Sequence, residues 1–258
     1  MGKSMRYEAA KELRNSLDKL SKRLYELQEK CYEILLDAYQ EEEKIQFPVD
    51  IKKVADCMGI QIFREPLNYL GGKKIDQNIA QLQYVKEGEK VVRRIILDDM
   101  ESGFVEDADS LSDLERYAIA YEMGKTIVGE YTEEDDLSDF DVEWKNIFSV
   151  PYSLPRLSAQ LENFEYELCA IFLLLPLQEF LDAFWEYIEV IQEHPVMMDR
   201  WIKHLSDVAE IPNYQLVNGY PYIKLCAYQY YMNNFSEINK EFPEEERDRL
   251  ERQRELFQ

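Results

Sequence analysis

Apolar residues recur four and three apart through the first forty positions: Leu13, Leu17, Leu20, Leu24, Leu27, Cys31, Ile34 and Ala38, with charged residues between them. From Leu13 onward no Gly or Pro interrupts this stripe before Pro48. The spacing predicts one long helix with a narrow apolar seam. Such a seam has to be covered, either by a second copy of the chain in a coiled coil or by helices from the C-terminal part of the same chain. Residues 1–43 are read as a helical arm. A homodimer through Leu13, Leu17, Leu20, Leu24 and Leu27 is one of the two expectations.

The pattern then shortens. Phe47-Pro48-Val49-Asp50 ends the arm, because Pro disfavours helical geometry in the residue before it. Asp50 is a cap for a short helix from Ile51 to Met58, which Gly59 stops. The β-branched run Ile60 to Phe63 predicts a strand, and a hairpin is expected from strands at Ile79–Val85 and Val91–Leu97, turning at Glu87-Gly88-Glu89-Lys90. From Ser110 onward the periodicity is helical. Ser112, with Glu115 three residues on, forms a capping box opening a helix that runs to about Val128 and ends near Gly129. An acidic loop follows, then Pro151 and Pro155. Further helices are expected from Ser158 to Leu175, where Pro176 ends the run, and at Glu179–Gln192, Met197–Val208, Tyr220–Asn233 and Pro243–Phe257. The expected fold class is α+β, mostly α. A small sheet with its helices occupies residues 44–190, and a helical extension residues 191–258.

Composition narrows the function classes. The 258 residues are 46% apolar with 18 tyrosines, as in a folded globular chain. Only nine glycines and nine prolines argue against a turn-rich all-β fold. A net charge of −22 argues against direct nucleic-acid binding, which needs a concentrated basic surface. Between Glu101 and Glu143 stand 15 acidic residues against two basic ones, either a solvated face or a surface that attracts a basic partner. The aromatic run around Tyr228, Tyr230 and Tyr231 is read as helix packing in so acidic a chain. Cys31, Cys57, Cys169 and Cys226 form no CxxC pair and are expected to be buried free thiols. The most apolar run, Leu168 to Leu177, is too short to span a bilayer, and a cytoplasmic location is the expectation.

Three segments in order carry a resemblance. The first is Pro48-Val49-Asp50-Ile51, leading to Val54-Ala55 and Met58-Gly59-Ile60. The second is the helix Glu115-Arg116-Tyr117-Ala118-Ile119-Ala120-Tyr121-Glu122-Met123-Gly124-Lys125. The third runs from Asn163-Phe164-Glu165-Tyr166-Glu167 through Leu168-Cys169-Ala170 to Leu173-Leu174-Leu175-Pro176. Over roughly residues 45 to 210 the chain resembles the ImmA/IrrE family of zinc metallopeptidases, whose active-site helix carries an HExxH motif. The resemblance implies a zincin-like core, a small sheet with active-site helices. In such a helix two His at i and i+4 hold zinc, and the Glu beside the first acts as general base.

Here Tyr121 stands for the first His and Lys125 for the second, while the Glu remains as Glu122. The resemblance implies the third ligand at Asn163, or at Glu162 or Glu165 if the register slips. An ammonium has no lone pair for a metal, and a phenol is a rare zinc ligand. His194 and His204 lie outside both helices, at a spacing that makes no helical ligand pair. No zinc or other cofactor is therefore expected. Two readings of the remnant stay open. Tyr121 and Lys125 fill or edge a former cavity with Glu122 a partly exposed leftover, or Lys125 replaces the metal as the positive charge beside Glu122. An exposed pair of that kind would add only about 0.2–0.5 kcal/mol.

The expected function is that of a non-catalytic pseudopeptidase binding a protein partner. The resemblance extends this to a regulator, of the repressor type that active members cleave in phage, mobile-element or stress control. The alternatives are an active peptidase with an unusual metal set drawn from Tyr121, Glu165 and Glu167 around Glu122, and an assembly protein dimerising through the N-terminal seam. No GxGxxG, P-loop, GxSxG or Cys–His nucleophile pattern is present.

Overall fold

The computed structural model describes residues 2–42, 44–67, 69–70, 73–74, 78–87, 90–100, 102–129, 146–148, 152–153, 164–176, 178, 197–212, 215–216 and 219. The expected helices at 179–192, 220–233 and 243–257 lie outside them, as does the expected start of the helix before Phe164. The chain forms two compact units, Met1–Glu26 with Tyr220–Gln258, and Leu27–Gly219.

Helix α1 runs from Gly2 to Ala38, as the unbroken apolar stripe requires. In the first unit it carries an Arg23–Glu26 ion pair of 3.9 Å, with Leu24 fully buried. In the second unit Leu27, Cys31 and Leu35 have no exposed surface, whereas Ile34 and Ala38 are half-buried. The expected strict heptad therefore gives way after Cys31. An α-helix with 3.6 residues per turn drifts relative to a 3.5 repeat, and the buried stripe moves on to Leu35. Leu24 and Leu27 are already covered in the single chain, Leu20 is half-buried, and the side chains of Leu13 and Leu17 are outside the described residues.

The second unit is α+β, with one mixed sheet. Strands β1 (Ile60–Glu65), β4 (Asn78–Glu87), β5 (Lys90–Asp98), β6 (Gly103–Phe104), β7 (Asn146–Phe148) and β8 (Tyr152–Ser153) form it in the order β6-β1-β5-β4-β7, with β8 also on β4. A separate ribbon pairs β2 (Tyr69–Leu70) with β3 (Lys73–Lys74). The expected hairpin is β4–β5, antiparallel from Ala80↔Leu97 to Glu87↔Lys90. Strand β1 lies parallel to β5, from Ile60↔Arg93 to Glu65↔Asp98, and every other pairing in the sheet is antiparallel. The short strands β2, β3, β6, β7 and β8 have no two-residue alternation long enough to announce them, since they exist only by pairing with a neighbour.

Helix α2 (Ile51–Cys57) begins at Asp50, whose side chain accepts from the Lys53 amide, and ends before Gly59 at φ +67°. Its last residue, Cys57, is exposed rather than buried as expected, because it follows Asp56 onto the solvent side, while Cys31 and Cys169 are buried thiols. Tyr39 fastens the end of α1 to this cap: its hydroxyl accepts from the Asp50 amide at 2.8 Å, and Lys53 lies 4.4 Å over its ring.

A 3-10 turn at Ala108–Ser110 and helices α3 (Asp113–Val128), α4 (Phe164–Leu174) and α5 (Met197–Ala209) follow. Both halves of the Ser112–Glu115 capping box are made, and α3 closes on Gly129 at φ +89°. Every residue of α3 from Arg116 to Lys125 is buried, so this helix is the centre of the core. It packs on α4 and against β4, β5 and α2. The run from Leu168 on α4 to Leu175 just after it is likewise buried, as its uninterrupted apolar text demands. Among the described residues no helix is long and apolar enough to cross a membrane.

Candidate functional site

The fold brings the three motif residues of α3 together at its junction with β4. Tyr121, Glu122 and Lys125 all face the interior, with relative exposures of 5%, 0% and 3%. The expectation of a partly exposed leftover acid is corrected, since Glu122 has no solvent contact. The reason is that α3 is enclosed by sheet on one side and α4 on another, so no face between Arg116 and Lys125 is left for water.

Two donor groups make three hydrogen bonds to the Glu122 carboxylate. Lys125 Nζ donates to both Oε1 and Oε2, each at 2.8 Å, and the Leu82 amide donates to Oε2 at 2.8 Å. These lengths are those of charge-assisted hydrogen bonds. Strand β4 makes the third contact available. Strand β7 pairs with it from Gln83 to Val85 and β8 at Asn78 and Ala80, so Leu82 lies in the interval between them. There its N–H is satisfied by a side chain from the helix beneath. The ammonium of Lys125 also sits 5.3 Å from the centroid of the Tyr121 ring, within cation–π range, and that ring meets Tyr166 of α4 edge-on at 5.8 Å.

Gly124 sets how closely α4 approaches. A Cβ at that position would stand 2.9 Å from the Tyr166 carbonyl oxygen and 3.0 Å from Cys169 Cβ. The glycine is thus needed for helix-to-helix contact and not for backbone freedom. Arg116, 3% exposed, anchors the other end: its guanidinium donates to the Val49 carbonyl at 2.6 Å and stands 3.2 Å from the Glu210 carboxylate. Glu210 itself occupies left-handed backbone at φ +51° just after α5. On the surface of the same helix, Glu115 joins Ser112 and Arg64, and Arg64 also pairs with Asp99 at 3.2 Å. Burial raises the Glu115 carboxyl, but the hydrogen bonds from Arg64 and Ser112 and the Arg64 charge outweigh it and leave it below its ordinary value.

The second helix contributes less than the resemblance implies. Glu165 and Glu167 lie in the first turn of α4, both half-buried, and burial alone raises the Glu167 carboxyl. Asn163 and Glu162 lie outside the described residues, as does His194, and His204 is exposed on α5. Among the described residues no three His, Cys, Asp or Glu side chains stand together as a metal-ligand set. Zinc does not fit the Tyr121–Glu122–Lys125 geometry. An ammonium already occupies the space at the carboxylate, and it brings positive charge and donors where a metal needs lone pairs at about 2.0–2.2 Å.

Sequence reasoning missed Leu82, Tyr166 and Arg116. The Leu82 contact is made by a backbone amide and carries no residue signature. Tyr166 follows from α4 register alone. Only Gly124 left a sequence signal, as an isolated glycine inside a helical pattern, which marks a close approach. No family model matches the chain, and neither a curated protein nor a solved structure matches it.

Proposed function

We propose that this chain is a non-catalytic protein-binding module of the ImmA/IrrE type, a pseudopeptidase whose partner is a regulatory protein. One observation carries the reading: both oxygens of Glu122 are held by the Lys125 ammonium and the Leu82 amide in a place with no solvent exposure. A general base must reach the water it activates, directly or through one other water. A carboxylate turned to two internal donor groups and sealed from solvent has no access to such a water. Helix, strand and second helix then remain as a scaffold with a surface for binding, and the chemistry is gone.

The test is hydrolysis. An unstructured protein such as casein is incubated with the full chain, with and without added zinc, beside Glu122→Gln. The expected result is no cleavage above the variant's background in either condition. Zinc-dependent cleavage that disappears in Glu122→Gln would establish the peptidase alternative.

A further inference from the structure

We infer that Lys125 is a tethered cation: its ammonium fills, from within the chain, a cation site formed by the Glu122 carboxylate and the face of the Tyr121 ring, and the α3–β4 junction requires a cation there. This deepens the non-catalytic reading, on which it rests in placing Lys125 on Glu122, and it concerns what holds the junction together.

The argument is electrostatic. A carboxylate with no exposed surface is costly unless a positive charge or several donors meet it. Glu122 receives one backbone amide, from Leu82, on Oε2, and the Lys125 ammonium on both oxygens at 2.8 Å. The helix positions the ammonium, because residues three apart share a face. The Tyr121 ring, at 5.3 Å, completes an environment suited to a compact monovalent cation with N–H donors. Since Glu122 in turn accepts from Leu82, the same ammonium indirectly fastens β4 to α3. In a metal-dependent helix of this kind the positive charge would arrive with a bound ion. Here it is covalently present, so the α3–β4 junction has no requirement for a metal and is indifferent to chelators.

Thermal unfolding of the full chain tests this. The wild type is melted in EDTA, in zinc chloride and in neither, with the same midpoint expected in all three. Lys125→Ala, which removes the ammonium from the carboxylate, is expected to melt lower. It should recover in propylammonium chloride, which restores the atoms removed. It should not recover in sodium chloride or tetramethylammonium chloride at equal ionic strength, since neither cation carries N–H donors. A ligand that binds only the folded state raises the folding constant about tenfold at about nine times its dissociation constant and goes on raising it beyond that, so the recovery grows with propylammonium concentration.

Should Lys125→Ala not fold, Lys125→Met and Glu122→Gln/Lys125→Met are compared. The double variant must be the more stable, because a neutral amide at position 122 still accepts from Leu82 and needs no cation. A rise of the wild-type midpoint that grows with zinc concentration would overturn the inference. So would a Lys125→Ala variant as stable as wild type, or a double variant no better than the single one. Melting behaviour decides this point and hydrolysis decides the function, so either reading can fail alone.

Discussion

Replacing Gly124 by alanine tests whether the approach of α4 to α3 is as close as the structure makes it. Alanine has the better helix propensity, worth about 1 kcal/mol over glycine in a helix interior. Were nothing else involved, Gly124→Ala would stabilise α3. The new methyl group, however, would sit 2.9 Å from the Tyr166 carbonyl oxygen, 3.0 Å from Cys169 Cβ and 3.2 Å from Tyr166 Cα. Two of these three atoms are α4 backbone and have no rotamer through which to escape, so the helices must separate by several tenths of an ångström. Separation loosens the Tyr121–Tyr166 edge contact and the buried run beginning at Leu168. Overpacking a tight core costs about 1–3 kcal/mol. Backbone contact places this site at the upper end, which leaves a net loss of about 2 kcal/mol after the propensity gain. For a unit of this size that is a fall in Tm of about 4–8 °C. Thermal and urea unfolding followed by circular dichroism measure it. Gly103→Ala is the control, since nothing lies within 4 Å of a Cβ there and its Tm should not fall. A Gly124→Ala protein that melts at or above wild type would refute the close approach and the helix pairing built on it.

Arg116→Met removes the donor to the Val49 carbonyl and the partner of Glu210, and a buried acceptor left unpaired costs about 1–3 kcal/mol, measured by urea unfolding. No loss would mean that the Arg116 contacts are incidental. Among the described carboxylates, Glu115 and Glu167 make opposed contributions to the pH dependence. Glu115 titrates below its unfolded value of 4.5, so the stability it supplies is present above that pH and lost as pH falls through its folded value. Relative to wild type, Glu115→Gln is therefore less stable at neutral pH, by a margin that narrows on acidification. Glu167 titrates above 4.5 in the fold, so its ionisation costs stability as pH rises beyond that value. Glu167→Gln should melt above wild type at neutral pH and match it below about 4.5, and the opposite trend in either variant rejects the assigned cause.

Much of the local structure was legible because its causes are local. An uninterrupted apolar stripe is enough for α1, the Asp50 cap and Gly59 bound α2, the Ser112–Glu115 box and Gly129 bound α3, and two alternating runs around Glu87–Lys90 make β4–β5. Each depends on residues a few positions apart, whose hydrogen bonds and backbone preferences need no distant partner. The short strands β6, β7 and β8 depend on β1 and β4 for their existence, and nothing in two or three residues announces a neighbour far along the chain.

The candidate site divides the same way. Residue chemistry alone determined that Tyr121 and Lys125 are poor zinc ligands, and helical spacing alone placed Lys125 within reach of Glu122. Whether that pair would be a weak surface contact or a sealed one was decided only by the tertiary structure. Electrostatic energy depends on the surrounding medium, and the medium at Glu122 is set by β4, α4 and the sheet, none of which is encoded at positions 121 to 125. Burial removes the water that would have screened the pair, and the Leu82 amide supplies a donor that no side-chain pattern could have revealed.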